Sequence, residues 1–189
     1  MKFYLILAAH CCLTLVDSAP LRTHQLTRAM SLARKILSEI PAAHDACVKA
    51  TGLTLSSEAE HLEYVLSGIG IPAPPLLKSE HLSLDVSLSR IVDGLELHHK
   101  LLQEIKELLN STEELTLLLA DITDLSAQVQ KMQQLAQPAT ESQKTAFPAL
   151  SPQLNSDYHV QVAIHLSLQQ LRSFTQDVFR SLRYIAVSN

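Results

Sequence analysis

Glycine is scarce in this 189-residue chain, which carries only Gly52, Gly68, Gly70 and Gly94. Hairpin-rich β-sandwiches and phosphate-cradling loops both need residues that take positive φ, so the shortage argues against either. Tryptophan is absent and aromatic residues make up 4% of the chain. Basic charge is also short. Fifteen Lys and Arg stand against 19 Asp and Glu, a formal net charge of −4, which gives no cationic field for nucleic acid or an anionic membrane surface. No apolar run after the first residues approaches the roughly 18 to 20 residues of a membrane span. Aliphatic side chains are what the sequence has in quantity, within a hydrophobic fraction of 47%. A helical domain follows, and the length suffices for one core that buries about 70% of the unfolded surface without metal or dense disulfides.

The N-terminus reads as a secretory signal peptide over residues 1–18. Met1-Lys2 is a short positive start, Phe3–Ala9 and Cys11–Val16 are apolar, and Ser18 and Ala19 are small. Cleavage after Ser18 leaves a mature domain of residues 19–189 and removes Cys11 and Cys12. Cys47 is then a single thiol, either buried as a small hydrophobe or available for intermolecular pairing.

Four amphipathic stretches follow. The first, about 23–40, carries Leu26, Ala29, Met30, Ala33, Ile36, Leu37 and Ile40 at helical spacing, and Pro41 is expected to stop it. A short helix over about 57–67 is suggested by the capping-box spacing of Ser57 and Glu60, before the connector Gly68–Pro75. The second long helix, about 80–109, is broken at Asn110-Ser111. The third, about 112–136, is capped by Ser111 with Glu114 and carries a seam of Leu115, Leu118, Ile122, Leu125, Val129, Met132 and Ala136. The fourth spans about 156–187. The fold class is therefore all-α, a four-helix bundle. A tight link between the second and third helices makes them antiparallel neighbours, and the long links on either side suit an up-up-down-down arrangement.

Chemistry is harder to find. The sequence holds no Gly-x-Ser-x-Gly elbow, no nucleotide-binding glycine loop and no His-Glu-x-x-His helix. His98-His99 is the most tempting pair among nine histidines, yet adjacent helical residues point about 100° apart, so a solvated pair is expected rather than a metal site. Glu113-Glu114 belongs to a helix's first turn, where negative charge suits the dipole. Asp121 and Asp124 lie three residues apart on the third helix, as a solvated face or a partner contact. Asn110-Ser111-Thr112 is a glycosylation sequon. The expectation is a binding protein, not an enzyme, with no cofactor and no metal.

Several ordered stretches resemble the granulocyte colony-stimulating factor family, within the interleukin-6 group of long-chain four-helix cytokines. They are Arg34-Lys35-Ile36, Leu66 through Leu76, Gly94-Leu95 with Leu101-Leu102-Gln103, Phe147-Pro148-Ala149-Leu150, and Leu171 through Ala186. The likeness implies a secreted, extracellular ligand, monomeric before binding, that clusters class I cytokine receptor chains on granulocyte precursors. It also implies a first receptor surface containing Arg28, Ser31, Asp121 and Asp124, with Ser31 where the family usually has glutamate. A second surface would contain Glu60, His61, Tyr64 and Leu154. The family's usual staples are missing: Cys47 lacks its partner, and Ser79 and Ser87 stand where a second pair would be.

Overall fold

The computed structural model describes residues 18–52, 69–77, 83–109, 112–136, 154 and 156–188. They form four α-helices and no strand: α1 (Ser18–Thr51), α2 (Leu84–Leu108), α3 (Glu113–Ala136) and α4 (Asp157–Ser188). The expected short helix over 57–67, Asn110 and the signal segment up to residue 17 lie outside the described residues.

The first helix does not stop at Pro41. It continues to Thr51, with exposed Pro41 inside it. A proline in a helix interior removes one hydrogen bond and costs about 3 kcal/mol. The apolar stripe, however, runs on past it: Ile40, Ala43 and Cys47 continue the buried line of Ala33 and Ile36. Burial of that face outweighs the missing bond, and α1 ends instead at Gly52, whose φ of 66° makes the left-handed turn that closes a helix.

Caps set the other boundaries. Ser83 Oγ accepts from Val86 N at 3.4 Å, so α2 starts at Leu84 rather than near residue 80. Thr112 Oγ1 accepts from Leu115 N at 3.4 Å, making Thr112 the cap of α3 where Ser111 was expected. Ser156 caps α4, accepting from His159 N at 3.2 Å, close to the expected start of the fourth helix.

The helices pack in a ring, α1 against α3 and α4, and α2 against the same two. α1 meets α3 at Gln25–Gln128 and Lys35–Asp121. It meets α4 at Arg34–Phe179, His44–His165 and Thr51–Gln161. α2 meets α3 at Asp85–Gln133 and Glu96–Gln130. Each helix contributes to one core, which includes Ile36, Leu95, Leu102, Leu118, Ile122, Leu171 and Val178. Full burial of such a side chain contributes about 1.5–3 kcal/mol. The connector 71–77 lies outside regular structure, with Ile69 and Ile71 tucked into the core and the Leu76 carbonyl accepting from Arg90 Nη1 at 2.9 Å.

α2 and α4 approach closely at one point. A Cβ on Gly94 would fall 2.8 Å from Phe174 Cε1 and nearer still to Cζ. Glycine is there because the aromatic ring occupies the space a side chain would need.

Candidate functional site

The seam between α1 and α3 gathers the charged and polar residues of the first expected surface. Arg28, Ser31 and Lys35 follow one another at steps of three and four along α1, which puts them on one stripe. Gln128 Nε2 donates to the Gln25 carbonyl at 3.4 Å at one end of this stretch, and Lys35 Nζ donates to Asp121 Oδ1 at 2.7 Å at the other. Arg28 and Ser31 lie between those two contacts on α1, and Asp124 lies between them on α3; all three are exposed.

Asp121 and Asp124 do not share an open face. Asp124 is solvated, whereas Asp121 is 5% exposed and lies under Lys35. The reason is the helix-to-helix geometry: residue 121 points toward α1, and Lys35 closes over it while keeping its own side chain 54% exposed. Lys35 also reaches Glu39 Oε1 at 3.5 Å, so one ammonium serves two carboxylates. Asp121 Oδ2 and Glu39 Oε2 are both buried and find no partner among the described residues. Burial, and then Asp121 beside it, raises the Glu39 carboxyl above its ordinary value. The hydrogen bond to Asp121 raises Lys35. Lys35 and Glu39 were not among the expected contacts. Their i,i+4 spacing on the stripe of Arg28 and Ser31 was the signal for them.

Of the second expected surface, Glu60, His61 and Tyr64 lie outside the described residues. Leu154 is 8% exposed and belongs to the core, so its side chain offers a partner almost nothing.

His98 and His99 are not a solvated pair. His98 is fully buried against Phe174, with ring centroids 5.4 Å apart, and only His99 is half-buried. Helix α2 is covered on two sides, by α3 and α4, so a residue adjacent to the main stripe is also enclosed. No three His, Cys, Asp or Glu side chains among the described residues come together as a metal site. No helix among them is long and apolar enough to cross a membrane. An open groove of about 380 Å³ between Pro74–Leu77 and α4 is lined by Leu166, Gln170, Ser173 and Asp177 among others, with no histidine or cysteine.

Neither protein-family models nor curated proteins match this chain. What the seam can do chemically therefore rests on its own residues. It offers a fixed Lys–Asp–Glu cluster flanked by an exposed arginine, a serine and an aspartate.

Cys47 resolves one alternative. It is 1% exposed, and burial pushes its thiol up from 9.0 to about 11, against a weaker opposing hydrogen bond with Thr112. The thiolate is the reactive form, so this displacement alone slows alkylation by about 100-fold at pH 8. Iodoacetamide labelling of Cys47, followed by peptide mass spectrometry, is expected to be negligible in the folded chain and complete in urea. Rapid labelling without denaturant would contradict the burial.

Proposed function

We propose that this chain is a secreted cytokine of the granulocyte colony-stimulating factor type, which acts by clustering class I cytokine receptor chains and so drives granulocyte-lineage growth and immune response. The α1–α3 seam is its first receptor surface, with Arg28, Ser31 and Asp124 as direct contacts and Asp121 as the group that holds Lys35 in place. The order of the cross-helix contacts is the observation that carries the reading. Along α1 from residue 25 to 51, the partners on α3 run from 128 to 121 and those on α4 from 179 to 161. Both orders fall as α1 rises, and α2 pairs with α3 in the same opposed sense. That supports the up-up-down-down arrangement of long-chain cytokines. A shared fold does not assign a receptor, so the receptor assignment is tested at the charged seam.

Asp124→Lys is the cleanest test because Asp124 is exposed. Affinity for the granulocyte colony-stimulating factor receptor ectodomain should fall by about tenfold or more while the melting temperature stays constant. Unchanged affinity would remove the seam from the receptor interface. A second reading, another interleukin-6 group ligand with a different receptor, is favoured by Ser31 standing where the family usually has glutamate. Binding to another receptor of that group, with none to the granulocyte receptor, would select it.

A further inference from the structure

The net charge of −4 conceals a segregation of charge between helices. On α3, Glu113, Glu114, Asp121 and Asp124 stand against a single lysine, Lys131. Over residues 23–38, α1 holds Arg28, Arg34 and Lys35 and no acidic residue, and α4 from residue 166 onward holds Arg172, Arg180 and Arg183 against Asp177. These two basic stretches lie side by side. Arg34 meets Phe179 while Thr51 meets Gln161, so positions on α4 fall as those on α1 rise.

Arg172, Gln176, Phe179 and Arg183 follow one another at steps of four, three and four, which makes them one stripe of α4 along its border with α1. Across that border, Arg34 holds its guanidinium carbon 4.8 Å from the centre of the Phe179 ring. Arg34 therefore falls between Arg172 and Arg183, on the opposite bank of the seam. Three guanidinium groups alternate α4, α1, α4 along about 16 Å of helix, and all three residues are exposed. No ion pair among the described residues uses them: Asp177 is taken by Arg180 at 2.8 Å, and Lys35 occupies Glu39 and Asp121 on the far side of α1. By the same register, Asp45 falls beyond Arg172 and bounds the basic stretch.

We propose that this α1–α4 seam binds a sulfated polysaccharide, a single linear chain that lies along it and crosses Arg172, Arg34 and Arg183 in turn. Guanidinium forks match the oxygens of a sulfate, and stacking on Phe179 fixes one of them in advance. A protein partner is gripped mainly by aromatic or aliphatic anchors in desolvated pockets. Here the apolar side chains of the seam are already engaged, with Phe179 half-buried beneath Arg34 and Met30 packed on the core. A linear polyanion needs no pocket, only unpaired cations in a row. It is also narrow enough to stay clear of acidic α3 on the other side of α1, whereas a DNA duplex, whose major groove alone is about 12 Å wide, would overhang it. That the chain meets such polysaccharides rests on the secretion proposed above.

Calorimetric titration of the full chain with a heparin hexasaccharide at pH 7.5 and about 150 mM NaCl tests the seam. The parent should bind and weaken steeply with salt, by the counterion release common to linear polyanions. The triple variant Arg34→Gln, Arg172→Gln, Arg183→Gln should lose at least about tenfold in affinity, and its salt slope should flatten by about one for each arginine removed. A charge-matched triple on the other surfaces, Lys49→Gln, Lys106→Gln, Lys131→Gln, should lose less than about threefold. The desulfated hexasaccharide should not bind. Should the arginine triple not fold, the double variant Arg172→Gln, Arg183→Gln decides, since it keeps the Arg34–Phe179 contact; it should lose about fivefold. Absence of binding by the parent, equal losses in the two triples, or equal affinity for a DNA duplex of matched charge would each overturn the proposal. Receptor affinity of Asp124→Lys reports on the α1–α3 seam, so either reading can fail alone.

Discussion

Gly94→Ala is expected to destabilise the bundle when Phe174 is present and to stabilise it when Phe174 is gone. In the parent, the new methyl overlaps the Phe174 ring, which is 3% exposed. Overpacking of this kind costs about 1–3 kcal/mol, against about 1 kcal/mol gained from removing a glycine from a helix interior. Phe174→Ala alone should cost about 3–5 kcal/mol, because it opens a cavity between α2 and α4 and strips the cover from His98. In that background the methyl introduced at position 94 fills part of the cavity, and the helix-propensity gain stands unopposed. The sign of Gly94→Ala then reverses, a coupling expected of residues in direct contact. Urea unfolding of the four proteins at pH 7.5, with slopes checked for constancy, measures it. Additive effects would mean that the ring and the glycine do not meet.

Asp121→Lys has the second large effect, and it differs in kind from Asp124→Lys. Reversal at 121 places a second ammonium beneath Lys35 in a site that is 5% exposed, and leaves the raised Glu39 as the sole nearby carboxylate among the described residues. Lys35 can swing into water, but the ammonium introduced at position 121 cannot, since α1 covers it. The melting temperature should fall by about 5–10 °C, with loss of the paired geometry at the seam. Asp124→Lys, on the open side of the same helix, should leave the melting temperature unchanged within about 2 °C. A double reversal would therefore confuse instability with lost binding. Asp121→Asn is the better companion, because it keeps the shape and an oxygen to accept from Lys35. Equal melting curves for Asp121→Lys and the parent would mean that residue 121 is not enclosed.

The helices were legible because each carries a long apolar stripe at a period near 3.6, and the seam residues Leu115, Leu118, Ile122, Leu125, Val129 and Met132 are all in the core, joined by Leu119, which the seam did not include. Boundaries were less so. Pro41 reads locally as a stop, but the local rule counts one lost hydrogen bond and not the tertiary burial of Ala43 and Cys47 beyond it. Ser111 and Thr112 both offer a capping hydroxyl, and only the backbone path decides between them. At the seam, Arg28, Ser31 and Asp124 stand exposed, the first two being positions that only the family resemblance had singled out. Asp121 could not be separated from Asp124, since period alone does not tell which of two neighbouring positions faces another helix. His98 was misread for a related reason: enclosure by two helices at once is a property of the assembled ring, not of α2. The His44–His165 pair joins residues 121 apart in the chain, and no spacing rule reaches that far.

That separation bears on how the bundle assembles. Glu96 and Gln130 are 34 residues apart, with a link of a few residues between their helices, so the α2–α3 hairpin closes at small entropic cost. His44 with His165 and Thr51 with Gln161 span 121 and 110 residues. Contacts so distant in sequence slow folding, because loop closure must precede any reward from packing. The hairpin is thus expected to form early, and the joining of α1 to α4 late. The histidine pair belongs to the part of the molecule expected to form last.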